Sequence, residues 1–138
     1  MRITLELSII WRDIMVKATF GLDENVASAA TYLLGWVTGI IFFVVEKDNK
    51  TVRFHALQSI LTFLPLMILW WIFGAIYSMM IIGAGVYGAI GMWWILSLLS
   101  LLISIVMLLL WLFLMYKAYS GEKFLVPIVG QIAENQVK

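Results

Sequence analysis

Cysteine is absent from the 138 residues, which excludes disulfides and thiolate chemistry and leaves the redox compartment open. Charge is scarce as well. Asp, Glu, Lys and Arg make up 12% of the chain, half the share of about 25% usual in soluble domains. From Phe54 to Tyr116 there is none of the four. Hydrophobic residues reach 64%, so too few polar groups remain to cover a soluble fold of this size. The composition points to an all-α integral membrane protein. A net charge of +1 implies no nucleic-acid or polyanion partner. A signal-peptide core is also missing, because Glu6, Arg12, Asp13 and Lys17 interrupt the first 20 residues.

What is present falls into two parts: an amphipathic N-terminal segment, 1–21, and a transmembrane helical domain, 22–138. "ITLELSI", residues 3–9, alternates apolar and polar, but from Leu7 the period lengthens. Leu7, Ile10, Trp11, Ile14 and Ala18 fall at helical spacing, with Ser8, Arg12, Asp13 and Lys17 opposite. This predicts a helix over roughly 5–19, lying on the membrane surface or packed on the protein's own bundle. "GLDEN" then offers Asp23 or Asn25 as a helix N-cap.

Val26 to Val45 is an apolar run of 20 residues, about 30 Å of helix and one bilayer core. The charged loop 46–53 ends it. The long stretch 54–116 is expected to break in "IIGAGVYGAIG", residues 81–91, leaving helices 54–80 and 92–116. Three transmembrane helices result. The alternative is four, with turns near Gly74 and Gly91 and with Trp70-Trp71 and Trp93-Trp94 as interface belts. Lys117 and Ser120-Gly121 mark a helix end. "FLVPIVG", residues 124–130, is a short apolar C-terminal segment that cannot span; it dips into the interface or packs under the bundle at Pro127.

With three spans, the first loop and the tail share a side carrying Lys47, Lys50, Arg53, Lys117, Lys123 and Lys138. The positive-inside rule makes that side cytoplasmic and puts the N-terminus outside; four spans put both termini inside. The sequon at Asn49-Lys50-Thr51 then lies on a cytoplasmic loop and is read as chance.

His55, the only histidine, opens a polar stripe. His55, Gln58, Ser59 and Thr62 fall at i, i+3, i+4 and i+7 of a helix that is otherwise apolar. Such groups are expected to avoid lipid. They either bond other helices and fix how the second span docks, or line a polar path or ligand site. One histidine without cysteine builds no ordinary zinc site, so neither metal nor cofactor is expected. Ala27, Thr31, Gly35 and Gly39 recur every fourth residue, and Gly35–Gly39 is a GxxxG match, a face for close helix packing within the chain or between copies. Ser97, Ser100 and Ser104 form a shorter small face. Pro65 removes one backbone bond in the second span and predicts a kink above the stripe. Gly83-Ala84-Gly85-Val86-Tyr87-Gly88 matches GxGxxG but lacks the preceding strand a dinucleotide site needs. No carboxylate lies in a span, and no Ser–His–Asp set, HExxH or P-loop appears, so an enzyme is not expected.

"DENVASAATYLLGWVTGIIFFVVEKDNKTVRFHALQS", two apolar spans and "YKAYSGEKFLVPIVG" resemble the small prokaryotic membrane proteins related to the chloroplast inner-envelope import component, the Tic-twenty-like group. The resemblance covers about residues 22–134, and its matching positions are Lys47, Arg53, His55, Gln58, Gly121, Glu122, Pro127 and Gly130. It implies a helical membrane domain and, through the plant relative, a part in a protein-conducting complex. Two hypotheses follow. One is an oligomeric pore or translocation component, with the stripe on a shared path. The other is a membrane-embedded scaffold or accessory subunit, with the stripe structural. The expected partners are the lipid bilayer and either further copies of the chain or a larger membrane complex. A cytoplasmic cluster of Lys47, Arg53 and Glu122 beside the stripe is also expected, with Glu46 or Glu122 paired to Arg53 or His55.

Overall fold

Gly35 has φ 60° and ψ −127°, a backbone conformation open to glycine and strained for other residues, and the chain turns there. The computed structural model describes residues 3–7 and 18–137, with the side chains of 84–89 and 92 left aside. Its elements are helical: a 3₁₀ turn at Thr19–Gly21, then α1 (Glu24–Ala30), α2 (Trp36–Val45), α3 (Lys50–Tyr119) and α4 (Val129–Val137). The expected amphipathic helix 5–19 falls mostly outside the described residues; within them, 3–7 are helical.

The single helix expected over 26–45 is corrected to two. Asp23 is the N-cap position of α1, without a side-chain capping bond. The helix stops at Ala30, and 31–35 is a turn before α2 begins. The outer ends of the two helices then meet. The Glu46 carboxylate, just past α2, accepts from the Thr19 N–H at 2.6 Å and its hydroxyl at 2.7 Å. Asn49 Nδ2 donates to Glu24, at the start of α1, at 2.7 Å. The apolar run is therefore a helical hairpin, up through α1 and back through α2, and not a rod.

Helical backbone runs from Lys50 through Pro65 to Tyr119 without interruption. A straight α3 would hold Phe63 and Leu114, 51 residues apart (114 − 63), at about 76 Å. Instead they share one core cluster with Tyr32 and Ala118. The Tyr32 ring lies 6.4 Å from Phe63, and the Tyr32 carbonyl accepts from Trp111 Nε1 at 2.6 Å. The chain thus doubles back between Phe63 and Leu114, and the described apolar stretches on either side of that reversal, its arms, are Lys50–Gly83 and Trp93–Tyr119. Both arms are long and apolar enough to cross a membrane, whereas α2 is shorter. Gly74 is helical, like the rest of α3.

Core packing is confined to one end of this long hairpin. Ala18, Ala27, Phe42, Val52 and Ala56 form one cluster; Tyr32, Phe63, Leu114 and Ala118 form the other. Beyond Phe63 the arms carry exposed apolar side chains such as Trp71, Ile82 and Ile95, the surface a bilayer covers. The C-terminal segment leaves α3 at Ser120, with Gly121 at φ 76°, turns again at Ile128 (φ 70°) and packs α4 against the same end. In "FLVPIVG", Gly130 packs closely on Leu125 and Gln58, while Phe124, Leu125 and Ile128 stay exposed.

Candidate functional site

The expected polar stripe is buried in full. His55, Gln58, Ser59 and Thr62 are each at most 6% exposed, on the face of α3 turned toward the α1–α2 hairpin and the tail. Helical spacing alone aligns them. What they meet is Tyr32, at the hairpin's tip and itself fully buried. Gln58 Nε2 donates to the Tyr32 hydroxyl at 3.2 Å and to the Phe124 carbonyl at 3.1 Å. Both amide hydrogens are then used, and the Phe124 carbonyl holds the amide in this orientation, since a flipped amide would oppose two oxygens. The Tyr32 hydroxyl, having accepted from Gln58, is free to donate to His55 Nδ1 at 3.2 Å. This order assigns the His55 proton to Nε2 and keeps the ring neutral. Among the described residues, His55 Nε2, Gln58 Oε1 and Thr62 Oγ1 find no hydrogen-bond partner.

Ser59 serves the break in the hairpin. Its hydroxyl donates to the Gly35 carbonyl at 2.8 Å. Thr38 Oγ1 donates to the Thr31 carbonyl at 2.9 Å and accepts from the Leu34 N–H at 3.2 Å. Trp111 covers the Tyr32 carbonyl. Backbone groups released by the turn are thus re-bonded by three side chains from α2 and both arms of α3, which is what a non-helical segment inside an apolar environment requires.

The Ala27, Thr31, Gly35 and Gly39 series does not form one helical face, because Gly35 lies outside both helices. Its members still mark close contacts within the chain. Ala27 is buried, and Thr31 Oγ1 donates to Ser28 O. At Gly39 an added Cβ would lie 2.9 Å from the Ala56 carbonyl and 3.2 Å from Ser59 Cβ, so α2 and α3 approach almost backbone to backbone. Ser97 and Ser100 are half-buried and Ser104 is exposed on the second arm. Ser104 borders an apolar cavity of about 770 Å³ between α2 and the arms, walled by Trp36, Phe63, Met67, Trp70 and Met107. That cavity shares no residue with the His55–Gln58–Tyr32 network.

The charged loop is organised differently from expectation. Glu46 pairs with neither Arg53 nor His55 through its carboxylate. Buried, it accepts from Thr19 and from the N–H groups of Asp48 and Asn49, each at 3.1 Å. Burial works to raise its pKa, but the hydrogen bonds from Thr19, Asn49 and Asp48 outweigh it and hold the group at about 2. Arg53 instead donates to the Glu46 carbonyl at 2.7 Å and stacks over the Phe43 ring. Glu122 bonds Lys117 at 2.6 Å, and Lys47 is exposed. Asn49 caps α3 through Thr51 and Val52, so the sequon's acceptor side chain is engaged in the fold. Among the described residues, no three His, Asp or Glu side chains converge as metal ligands would.

Residues 20–133 match the magnetosome magnetite crystal formation protein family, and the chain belongs to that family. It is 43% identical over 121 residues to a UPF0132 membrane protein of Methanocaldococcus jannaschii, covering 87% of this chain and 94% of the relative. A UPF0132 membrane protein of Archaeoglobus fulgidus is 40% identical over 116 residues, 84% of this chain and 97% of its own. No solved structure matches the chain. The expected small prokaryotic membrane family stands. Its likeness to the chloroplast import component is not carried by these matches, which lead to archaeal membrane proteins and a different family.

Proposed function

We propose that this member of the family is a non-enzymatic, multi-pass scaffold of a prokaryotic cell membrane. One observation carries the reading: the polar stripe is turned inward and engaged in holding the broken helix and the tail to α3. A stripe built to line a path would keep its donors and acceptors for what passes. Here Gln58 gives both its hydrogens to Tyr32 and Phe124, and Ser59 gives its own to Gly35. The exposed apolar arms supply the membrane anchorage and the surface for a partner within the bilayer. The family description ties its members to magnetite crystal formation, and a membrane-embedded organiser is the part of such a process that this chain's features suit.

The oligomeric pore remains the second reading, because His55 Nε2, Gln58 Oε1 and Thr62 Oγ1 are buried without partners among the described residues and would be wetted if copies opened that face to one another. Ion flux through vesicles reconstituted at known copy number separates the two. The scaffold predicts flux equal to protein-free vesicles. Flux that rises with copy number and falls in Gln58→Ala would establish the pore instead.

A further inference from the structure

We infer that the chain crosses the membrane twice, and that residues 24–46 form a re-entrant hairpin that enters and leaves by the same face. Each leg is too short to cross. The 7 residues of α1 and 10 of α2 reach about 10 and 15 Å, against a hydrocarbon core of about 30 Å. The leg ends are tied together at the charged end of the molecule, Thr19 to Glu46 and Glu24 to Asn49. Its tip is tied to the α3 arms, Gly35 O to Ser59 and Tyr32 O to Trp111. Ser59 and Phe63 mark the tip's level on α3. Phe63 is 13 residues from Lys50 (63 − 50), so the hairpin penetrates about 20 Å and stops.

Irregular backbone at that depth is tolerated only inside protein, and Ser59, Thr38 and Trp111 supply that enclosure. Charge distribution agrees. Loop 46–53 and tail residues Lys117, Glu122 and Lys123 lie at the leg ends, and nothing charged occurs from 54 to 116. Only the α3 reversal reaches the far side. Residues on both flanks of the α1–α2 hairpin and the C-terminal helix therefore share one side, the cytoplasmic one by its excess of Lys and Arg.

The natural absence of cysteine makes the test direct. Single variants Asp23→Cys, Lys47→Cys, Glu134→Cys and Gly91→Cys place one thiol each at exposed positions, Gly91 having open space around it. A membrane-impermeant maleimide is applied to inside-out and right-side-out vesicles. Asp23, Lys47 and Glu134 should label from one side and Gly91 from the other; any other partition overturns the inference. Spin labels at 23 and 47 decide it independently of labelling yield. A re-entrant hairpin keeps the pair close, whereas a spanning helix would hold them, 24 positions apart (47 − 23), at about 36 Å, and that distance would overturn it.

Discussion

Glu46 accepts four hydrogen bonds that close the mouth of the α1–α2 hairpin, two from Thr19 and one each from Asp48 and Asn49. Its depressed pKa has a definite sign in stability. The carboxylate contributes fully above its ordinary value of 4.5, and the contribution is lost as pH falls toward about 2. Glu46→Gln should cost about 1–3 kcal/mol at neutral pH. The gap between variant and natural protein should close as pH drops from 4.5 toward 2, read by thermal unfolding in detergent. A gap independent of pH would mean that the carboxylate is not the clasp. At this scale the sequence was informative about one partner only. The stripe from His55 to Thr62 was legible because one helix's period sets its face. Tyr32 was not, since the groups it joins lie 23 and 26 residues away. An aromatic hydroxyl in the middle of an apolar run was the available signal.

Among the elements, the hairpin turn depends on Gly35. Its φ of 60° is strained for any residue with a Cβ, although space around it is ample: a methyl added there would have Phe63 Cβ as its nearest neighbour, at 3.6 Å. Gly35→Ala should therefore lower stability by about 1–3 kcal/mol through the backbone alone. Gly74→Ala, in a helix with nothing within 4 Å, should raise it by about 0.5–1 kcal/mol. Melting temperatures of the pair check both signs together. Equal shifts would refute the broken helix. Periodicity and length made 26–45 look like one span, because a turn that reuses Thr and Gly inside an apolar run leaves no charge or proline to mark it.

For the whole molecule, the question is whether the apolar arms serve one copy or several. Among the described residues, the arms past the packed end carry mostly exposed apolar side chains. The scaffold reading expects the isolated chain to be a monomer in lipid nanodiscs, with mass near 15.7 kDa after lipid correction by light scattering. A defined oligomer would favour the pore and move attention to the unpartnered atoms of His55, Gln58 and Thr62.

The sequence by itself determined the class of the molecule, its long apolar arms and the inward face of the stripe. Each follows from composition or from the period of a single helix, which are local properties. Only the tertiary structure decided that the first apolar run folds back on itself, that Glu46 clasps Thr19, and that Gln58 spans Tyr32 and Phe124. Those facts depend on groups brought together across 24 to 66 residues. Each includes a bond to a backbone carbonyl or amide that every residue type carries, so side-chain identity announces them only in part.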